Sequence, residues 1–414
     1  MYRMLNDLYD DTLDLSDKKP LFVLPDKIKE RILKKIFEHF DVKNDIIPEL
    51  FEFSFEALTK GIEDNFTPKI THKENTEFLE ALRSNTAVFA AFKAHRQQND
   101  LATLLLDDKG KVKSFANFKA DSERVIGSYN THWLQNEYDA AIKGARTAAL
   151  FADFEQDKDI APNIRWMPST SVEPRDIHKA YYGMVRSKDD PFWRTNFPGM
   201  LWGCKCGIEQ TSDTITHKKG EGQTTIASKG LEINPYYAKK IFSDKHPYIK
   251  EAYPGADQAV KSFVKQATVS SLVDQTLSDK RAKGEKVQVG TIDKSAVKFL
   301  KGRGIKLETT DITLYDQAVM HMSRTAKSNR HVNPSPDQIK DIASILERAD
   351  IWFDEKLNNL IYAVKLDEEM SLKFVVAQNY KKKKDIMNYV VTGGIVESYN
   401  ITDKVYTKIK KGQK

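Results

Sequence analysis

The sequence predicts a multidomain α+β protein, on three observations. Apolar side chains recur at three- and four-residue steps through roughly the first 130 residues. The stretch from about Asp159 to Glu209 is crowded with Pro, Gly, Trp and Tyr. The last block, from about Asp293, combines helix-start signals with short β-branched runs. A chain of 414 residues is longer than the ~250–300 at which a single core stops growing, so several domains are expected. The expected division is a helical region over 1–130, an α+β domain over 131–212, a polar linker and connecting segment over 213–292, and a small α+β domain over 293–414. In that last domain helices precede an antiparallel β-meander.

In the first region, DKIKERILKKIFEHF stacks Ile28, Ile32, Leu33, Ile36, Phe37 and Phe40 on one helical face and leaves its lysines on the other. Helices are also expected in PELFEFSFEALTKGI, in NTEFLEALRSNTAVFAAFKAHRQQNDLATLLL and in SFANFKADSERVIGSYNTHWLQNEYDAAIKGARTAALFADF. The Pro- and aromatic-rich block that follows calls for short elements and tight turns. TSDTITHKKGEGQTTIASKG and SDKRAKGEKVQVG read as polar connecting segments, with a boundary between Gln266 and Asp293.

In the last block, DITLYDQAVMHMSRT sets Tyr315, Ala318, Val319 and Met322 on one helical face. PSPDQIKDIASILERAD opens with Ser335 as N-cap, Pro336 at the first helical position and Gln338 three after the cap. The runs DIWF, NLIYAVKL, SLKFVVAQ, NYVVT and GGIVES read as strands, with KLNN and LDEEM as hairpin loops.

Hydrophobic residues make up 40% and charged residues 30% of the chain, the balance of a globular protein. No apolar run reaches the ~18 residues a membrane span requires, so no membrane partner is expected. The opening MYRMLNDLYDDTLDLSDKK is too acidic and interrupted for a secretory signal, so synthesis in a cytoplasm is expected. The formal charge of +6 is thinly spread. The basic clusters Lys381 to Lys384 and Lys404, Lys408, Lys410, Lys411 and Lys414 bear more on a polyanionic partner.

Both cysteines, Cys204 and Cys206, lie in PGMLWGCKCGIE. Zinc wants four ligands, and no second pair exists, although His178 and His217 could complete a site; the count weighs against a metal, and no cofactor is expected. A disulfide across i and i+2 would be strained, and a catalytic thiol has no evident partner. The plainest reading is two small semi-buried side chains at a tight turn beside Trp202.

The run RDIHKAYYG, then DDPFW, FPG and CKCGI resembles the signature of the phage head morphogenesis family typified by the Mu F minor head protein. The matching positions are Arg175, His178, Gly183, Asp190, Phe192, Pro198, Cys204 and Cys206, with Arg146 and Thr147 resembling the Arg-Thr of the family's preceding helix. Lys205 replaces the family's usual Arg, and Gly199 stands where a second Pro is common. The resemblance covers residues 130–212. It implies a virion component present in a few copies near the portal, with portal and capsid proteins and phage DNA as partners. The residues themselves read as a scaffold: an Arg, a His, an Asp and two Trp can build a satisfied polar network that specifies structure, with His178 as a core histidine bonded to a neighbour.

Beyond Asp293 the candidates for chemistry are His321, Arg324, Arg330, His331, Lys373, Tyr380 and Thr392. A metal-free ribonuclease needs a base for the 2′-hydroxyl, an acid for the leaving 5′-oxygen, and a cation with hydroxyl donors for the charged phosphorane. Histidines suit the first two roles, and Lys and Thr suit the third. The order of elements resembles the barnase, EndoU, colicin and RelE-like (BECR) nuclease fold in its phage-associated versions. That resemblance rests on the helix with His321, ILERADIWFD, NLIY, KFVVAQNY and VVTGG. It implies an RNA-cleaving, toxin-like domain with His321 as the leading catalytic residue, then Thr392 and Lys373, with Arg324 and His331 beside them. If one phosphate is shared, His321, Lys373 and Thr392 should line one cleft within ~10 Å of each other. Two alternatives stay open: a purely structural head protein with a C-terminal binding domain, and an ADP-ribosyltransferase. The second usually shows a Glu-x-Glu or Gln-x-Glu pair, which the stretch from Asp293 to Lys414 lacks.

Overall fold

The computed structural model describes residues 8–9, 20–69, 73–217, 226–324, 333–382, 385–402 and 404–412. It divides the chain into two units, Met1–Lys261 and Ser262–Lys414. Helices and strands together make the α+β chain that the sequence predicts.

The first unit is built on α1 (Asp26–Phe37), α2 (Pro48–Glu63), α3 (Lys73–Ala102), α4 (Phe115–Gly127) and α5 (Trp133–Gln156), with one π-helical turn at Ser128–His132 joining the last two. Their apolar stripes are those read from the periodicity: Ile32, Leu33 and Ile36 in α1, and Leu50, Leu58 and Ile62 in α2, are buried. Helix α3 differs. Lys93, Ala94, His95, Arg96, Gln97 and Gln98 are all buried, so this stretch is enclosed on every side. Gln98 meets the cost of burial by accepting from Ile47 N at 2.9 Å and donating to Val42 O and Asp45 O at 2.7 and 2.6 Å.

The next block forms a three-stranded antiparallel sheet ordered β2-β1-β3, from β1 (Asn163–Met167), β2 (Val185–Ser187) and β3 (Gly207–Thr211). Between β1 and β2 lies the single turn α6 (Asp176–Lys179); between β2 and β3 runs a 3₁₀ turn, Pro191–Arg194. Ile164, Trp166, Phe192, Trp193, Phe197, Met200 and Ile208 form the core here with Phe151 of α5. The expected short elements and turns are present, but no domain edge falls at residue 130: α5 packs on α2 and also carries this sheet's core.

The segment expected as a linker, 213–292, is largely folded. The turns α7 (Pro235–Ala238) and α8 (Pro247–Lys250) bury Ile241, Phe242 and Tyr248 in the first unit. Helix α9 (Ala256–Asp279) crosses the division at Lys261/Ser262. Its Val269, Leu272 and Val273 already belong to the core of the second unit.

That unit continues with β4 (Lys286–Thr291), α10 (Lys294–Gly302), β5 (Asp311–Tyr315), α11 (Asp316–Met322), α12 (Pro336–Lys340), α13 (Ile342–Arg348) and β6 (Asp350–Asp354). It closes with β7 (Asn359–Lys365), β8 (Met370–Lys382), β9 (Asp385–Glu397) and β10 (Thr407–Lys410). Seven strands pair in the order β10-β6-β7-β8-β9-β5-β4, antiparallel throughout except β5 with β9. The meander β6 to β9 is as expected. Two expectations are corrected. DITLY, read as the start of a helix, is strand β5: Ile312 and Leu314 alternate into the core while Thr313 pairs with Tyr389, and the helix starts only at Asp316. KVQVG, read as connecting chain, is strand β4, paired with β5 and burying Val289.

NYVVT and GGIVES are one strand, β9, with a register shift at Val390–Thr392. Gly393 is needed there: a Cβ would stand 2.6 Å from the Phe374 ring. The Ser335 capping box forms as expected, with Gln338 N donating to Ser335 Oγ at 3.1 Å and Ser335 N to Gln338 Oε1 at 2.8 Å.

Candidate functional site

Within the three-stranded block, most of the motif residues meet in one buried neighbourhood. The turn α6 presents His178, and Gly183 ends the following loop at φ +74°, its N–H donating to Trp166 O at 2.9 Å. Only a residue without Cβ adopts that conformation at no cost, which accounts for a glycine at this position. The chain then enters β2 and the buried pair Arg186–Asp190. Arg186 Nη1 donates to Asp190 Oδ2 at 3.1 Å, and the guanidinium lies 4.2 Å from the centre of the Phe192 ring. Asp190 Oδ1 also accepts from Phe192 N at 2.9 Å and so caps the 3₁₀ turn. Pro198 O accepts from Thr147 Oγ1 at 3.1 Å, which ties the proline turn to α5. Arg146, the other half of that Arg-Thr pair, donates from Nε to Asn65 Oδ1 at 2.8 Å.

The loop from Leu201 to Cys206 closes this neighbourhood. Gly203 adopts φ +68°, and Cys204 N donates to Leu201 O at 3.1 Å, the tight turn that the sequence suggested beside buried Trp202. Arg175 Nη1 donates to Trp202 O at 2.7 Å, and Lys143 Nζ donates to Cys206 O, so two cations hold the loop by its carbonyls. The turn brings both sulfurs onto one imidazole nitrogen. His178 Nδ1 lies 3.6 Å from Cys204 Sγ and 3.3 Å from Cys206 Sγ. His178 and Cys206 are buried; Cys204 is half-buried.

The electrostatics follow from that geometry. Contact with Cys206, aided by His178, holds the Cys204 thiol well below its ordinary range against the opposing effect of burial. Cys204 and burial push the Cys206 thiol up. Burial lowers Lys143, and the two sulfurs oppose that shift. Among the described residues, His178, Cys204 and Cys206 form a group whose ligand atoms lie within 4.8 Å of one another, as a metal ion would require. The sequence offered His178 and His217 to complete a site with the cysteines: His178 meets both sulfurs across 26 residues of chain, a contact that no local spacing reports, while His217 Nδ1 stands against Thr216 Oγ1. Lys143, Trp166 and Arg186 were missed; the Arg186–Asp190 i,i+4 spacing is the one signal that could have found a pair.

In the second unit the predicted catalytic set is dispersed. Lys373 and Thr392 share a sheet face, since Thr392 is paired with Val375 and Lys373 with Gly394, two positions along. Lys373 Nζ reaches Tyr406 Oη at 3.5 Å, within the satellite apolar cluster of Trp352, Ile361, Ala363 and Tyr406. His321 lies on α11, which packs against β5 and β9. Arg324 is exposed just beyond that helix, its carbonyl accepting from Asn333 Nδ2 at 3.2 Å. His331 and Arg330 lie outside the described residues.

A cavity of about 180 Å³ opens where α11 leaves β5, lined by Tyr315, Gln317, Ala318, Tyr380, Met387, Tyr389 and Val391. None of the three leading residues lines it. His321 is one helical turn from Gln317, and Thr392 adjoins Val391. Tyr380 and Tyr389 bring their ring centres within 4.7 Å at its wall.

Residues 112–209 match the family model described as Phage Mu protein F like protein. A curated relative, the Mu-like prophage FluMu F protein of Haemophilus influenzae, is 27% identical over 128 residues, which is 31% of this chain and 27% of that protein. The match thus spans about a quarter of the relative's length. No solved structure matches the chain. The family match runs from just before α4 to within β3 and contains every motif residue named above. No described helix is long and apolar enough to cross a membrane.

Proposed function

We propose that this chain is a minor head protein acting in phage head morphogenesis near the portal, and that its second unit is a metal-independent ribonuclease carried with the head. The observation behind the head assignment is the match over residues 112–209, together with the burial of its Thr147, His178, Asp190, Phe192, Pro198 and Cys206. Arg186, Asp190 and His178 are turned inward and bonded to their neighbours, so the motif serves the shape of the module, and capsid and portal proteins are met by the surface that this shape presents. Heads purified from a phage encoding this chain, analysed by quantitative mass spectrometry, are expected to contain a few copies each. Otherwise intact heads that lack the chain would end the assignment.

Support for the ribonuclease is the tyrosine-walled cavity beside the helix of His321. Aromatic rings of this kind stack unpaired bases. In the proposed step His321 takes the proton from the 2′-hydroxyl, the 2′-oxygen attacks phosphorus, and the bond to the 5′-oxygen breaks as that oxygen takes a proton from water, whose hydroxide then recovers the proton held by His321. Lys373 and Thr392 share the sheet face of Val375 and Tyr406, away from the face on which α11 packs, and are not assigned to this step; Arg324 and His331 are assigned to the flanking strand. Full-length chain with single-stranded RNA in EDTA is expected to leave 2′,3′-cyclic ends, and His321→Ala to slow cleavage by about 100- to 10,000-fold. If RNA stays intact, or the alanine variant cleaves as fast as the native chain, the second unit is a binding domain on a structural head protein.

A further inference from the structure

We infer that His178 Nδ1, Cys204 Sγ and Cys206 Sγ bind one zinc ion, which clamps α6 to the loop before β3. The inference stands on donor geometry and is independent of the head and ribonuclease assignments. Zinc bonds of about 2.0 Å to nitrogen and 2.3 Å to sulfur, at a tetrahedral angle, set the two donors about 3.5–3.6 Å apart. His178 Nδ1 stands 3.6 and 3.3 Å from the two sulfurs. Both nitrogen–sulfur edges of a coordination tetrahedron are therefore in place to within a few tenths of an ångström, and all three donor atoms lie within 4.8 Å of one another.

The donor set also fits the metal. One imidazole and two thiolates suit a borderline-soft ion such as Zn²⁺, and hard cations such as Mg²⁺ prefer oxygen. Two thiolates cancel the ion's charge, which makes the filled site neutral and compatible with its burial. A catalytic thiol would use one sulfur against the imidazole; here the same nitrogen faces two, and Cys206 is only 1% exposed. A disulfide between the cysteines would need a strained bridge across one residue.

The surroundings hold the donors in place. Arg175 and Lys143 fix the carbonyls of Trp202 and Cys206, and Gly203 supplies the left-handed turn that carries the first cysteine toward His178. Trp166 packs on the imidazole edge-to-face at 5.6 Å between ring centres. Cys204 is the half-exposed ligand, and water on that side completes the fourth position.

Full-length chain purified under reducing conditions without chelator is expected to carry about one zinc per chain by elemental analysis. Replacing zinc with cobalt should give thiolate-to-cobalt charge-transfer absorption and the visible bands of a tetrahedral ion. Cys204→Ser, Cys206→Ser and His178→Asn should each abolish stoichiometric binding. Variants of this buried site could fail to fold, so a second measurement uses the native chain alone. After chelation, both thiols should react with a thiol reagent, and adding zinc should protect both. Thiols that react equally with and without added zinc, or a cobalt spectrum without thiolate charge transfer, would overturn the site.

Discussion

Lys93 Nζ lies 2.5 Å from Glu137 Oε2, and both side chains are fully withdrawn from solvent in the helical core. The carboxylate is further satisfied by Tyr248 Oη at 2.8 Å and Tyr9 Oη at 3.1 Å, both donating to Oε1. Tyr9 in turn meets His246 Nε2 at 3.0 Å, and His246 Nδ1 accepts from Tyr248 N at 3.2 Å. Those two contacts together specify the neutral imidazole with its proton on Nε2. Burial lowers Lys93 and raises Glu137, and their mutual attraction opposes both shifts.

Removing one member of this pair strands the other. Glu137→Leu leaves a buried ammonium without its counter-charge and is expected to cost about 3–5 kcal/mol, as is Lys93→Met, which leaves the carboxylate only its two tyrosine donors. The double variant loses less than the sum of the two. Chemical denaturation of the four proteins in a double-mutant cycle measures the coupling; purely additive losses would mean that the ion pair is energetically silent.

Acid should weaken the same core through His246. Burial first, and then Lys93, hold this imidazole well below its ordinary value. The unfolded chain takes up a proton near pH ~6.5, where the folded chain does not. The stability this group provides is therefore present above that pH and is lost as pH falls below it. The thermal unfolding midpoint should drop between about pH 6.5 and 5, and His246→Asn, which keeps an N-cap acceptor for Tyr248 N, should flatten the drop. Equal slopes in the two proteins would exclude His246 as the titrating group, whatever Glu137 or the metal ligands contribute.

The sequence was informative wherever the deciding forces act within a few residues. The apolar stripe of α1, the Ser335 capping box and the hairpin loops of the meander all depend on neighbours three or four positions away, and all are present. It misled where two periodicities overlap. Tyr315, Ala318, Val319 and Met322 keep helical spacing across a junction at which a strand ends and a helix begins, so the alternation of Ile312 and Leu314 went unread. KVQVG sits among lysines and glycines, and its alternation matters only because β5 is there to pair with it. Contacts across long stretches of chain left no trace. Lys93 and Glu137 are 44 residues apart and each reads alone as a solvated charge, and nothing in the sequence separates His178 from His217 as the partner of the cysteines until their loop folds back on His178.

Arg186 and Asp190 form another buried ion pair of the first unit, with side chains 1% and 2% exposed. Asp190→Asn keeps an acceptor for Phe192 N and removes the charge opposite Arg186, so it should cost about 1.5–3 kcal/mol, the worth of a charge-assisted hydrogen bond. Tryptophan fluorescence reports the change, because Trp193 follows Phe192 in the capped turn. A variant within about 1 kcal/mol of the native chain would mean that the cap carries the interaction, with little share from the charge.

Gly393 tests how tightly α11 is held to the sheet. A Cβ built there meets Phe374 Cδ1 and Cε1 at 2.6 Å and Met322 Sδ at 2.8 Å. Both side chains are fully withdrawn from solvent. Gly393→Ala should destabilise the second unit by about 1–3 kcal/mol through overpacking. Adding Met322→Ala removes the sulfur from the clash and leaves the ring in place, so it should restore only part of the loss while opening a cavity of its own. Because α11 carries His321, the single variant should also lower any cleavage of RNA at temperatures where the unit remains folded. Unfolding that is unchanged by Gly393→Ala would mean that β9 and α11 can separate without cost at this point.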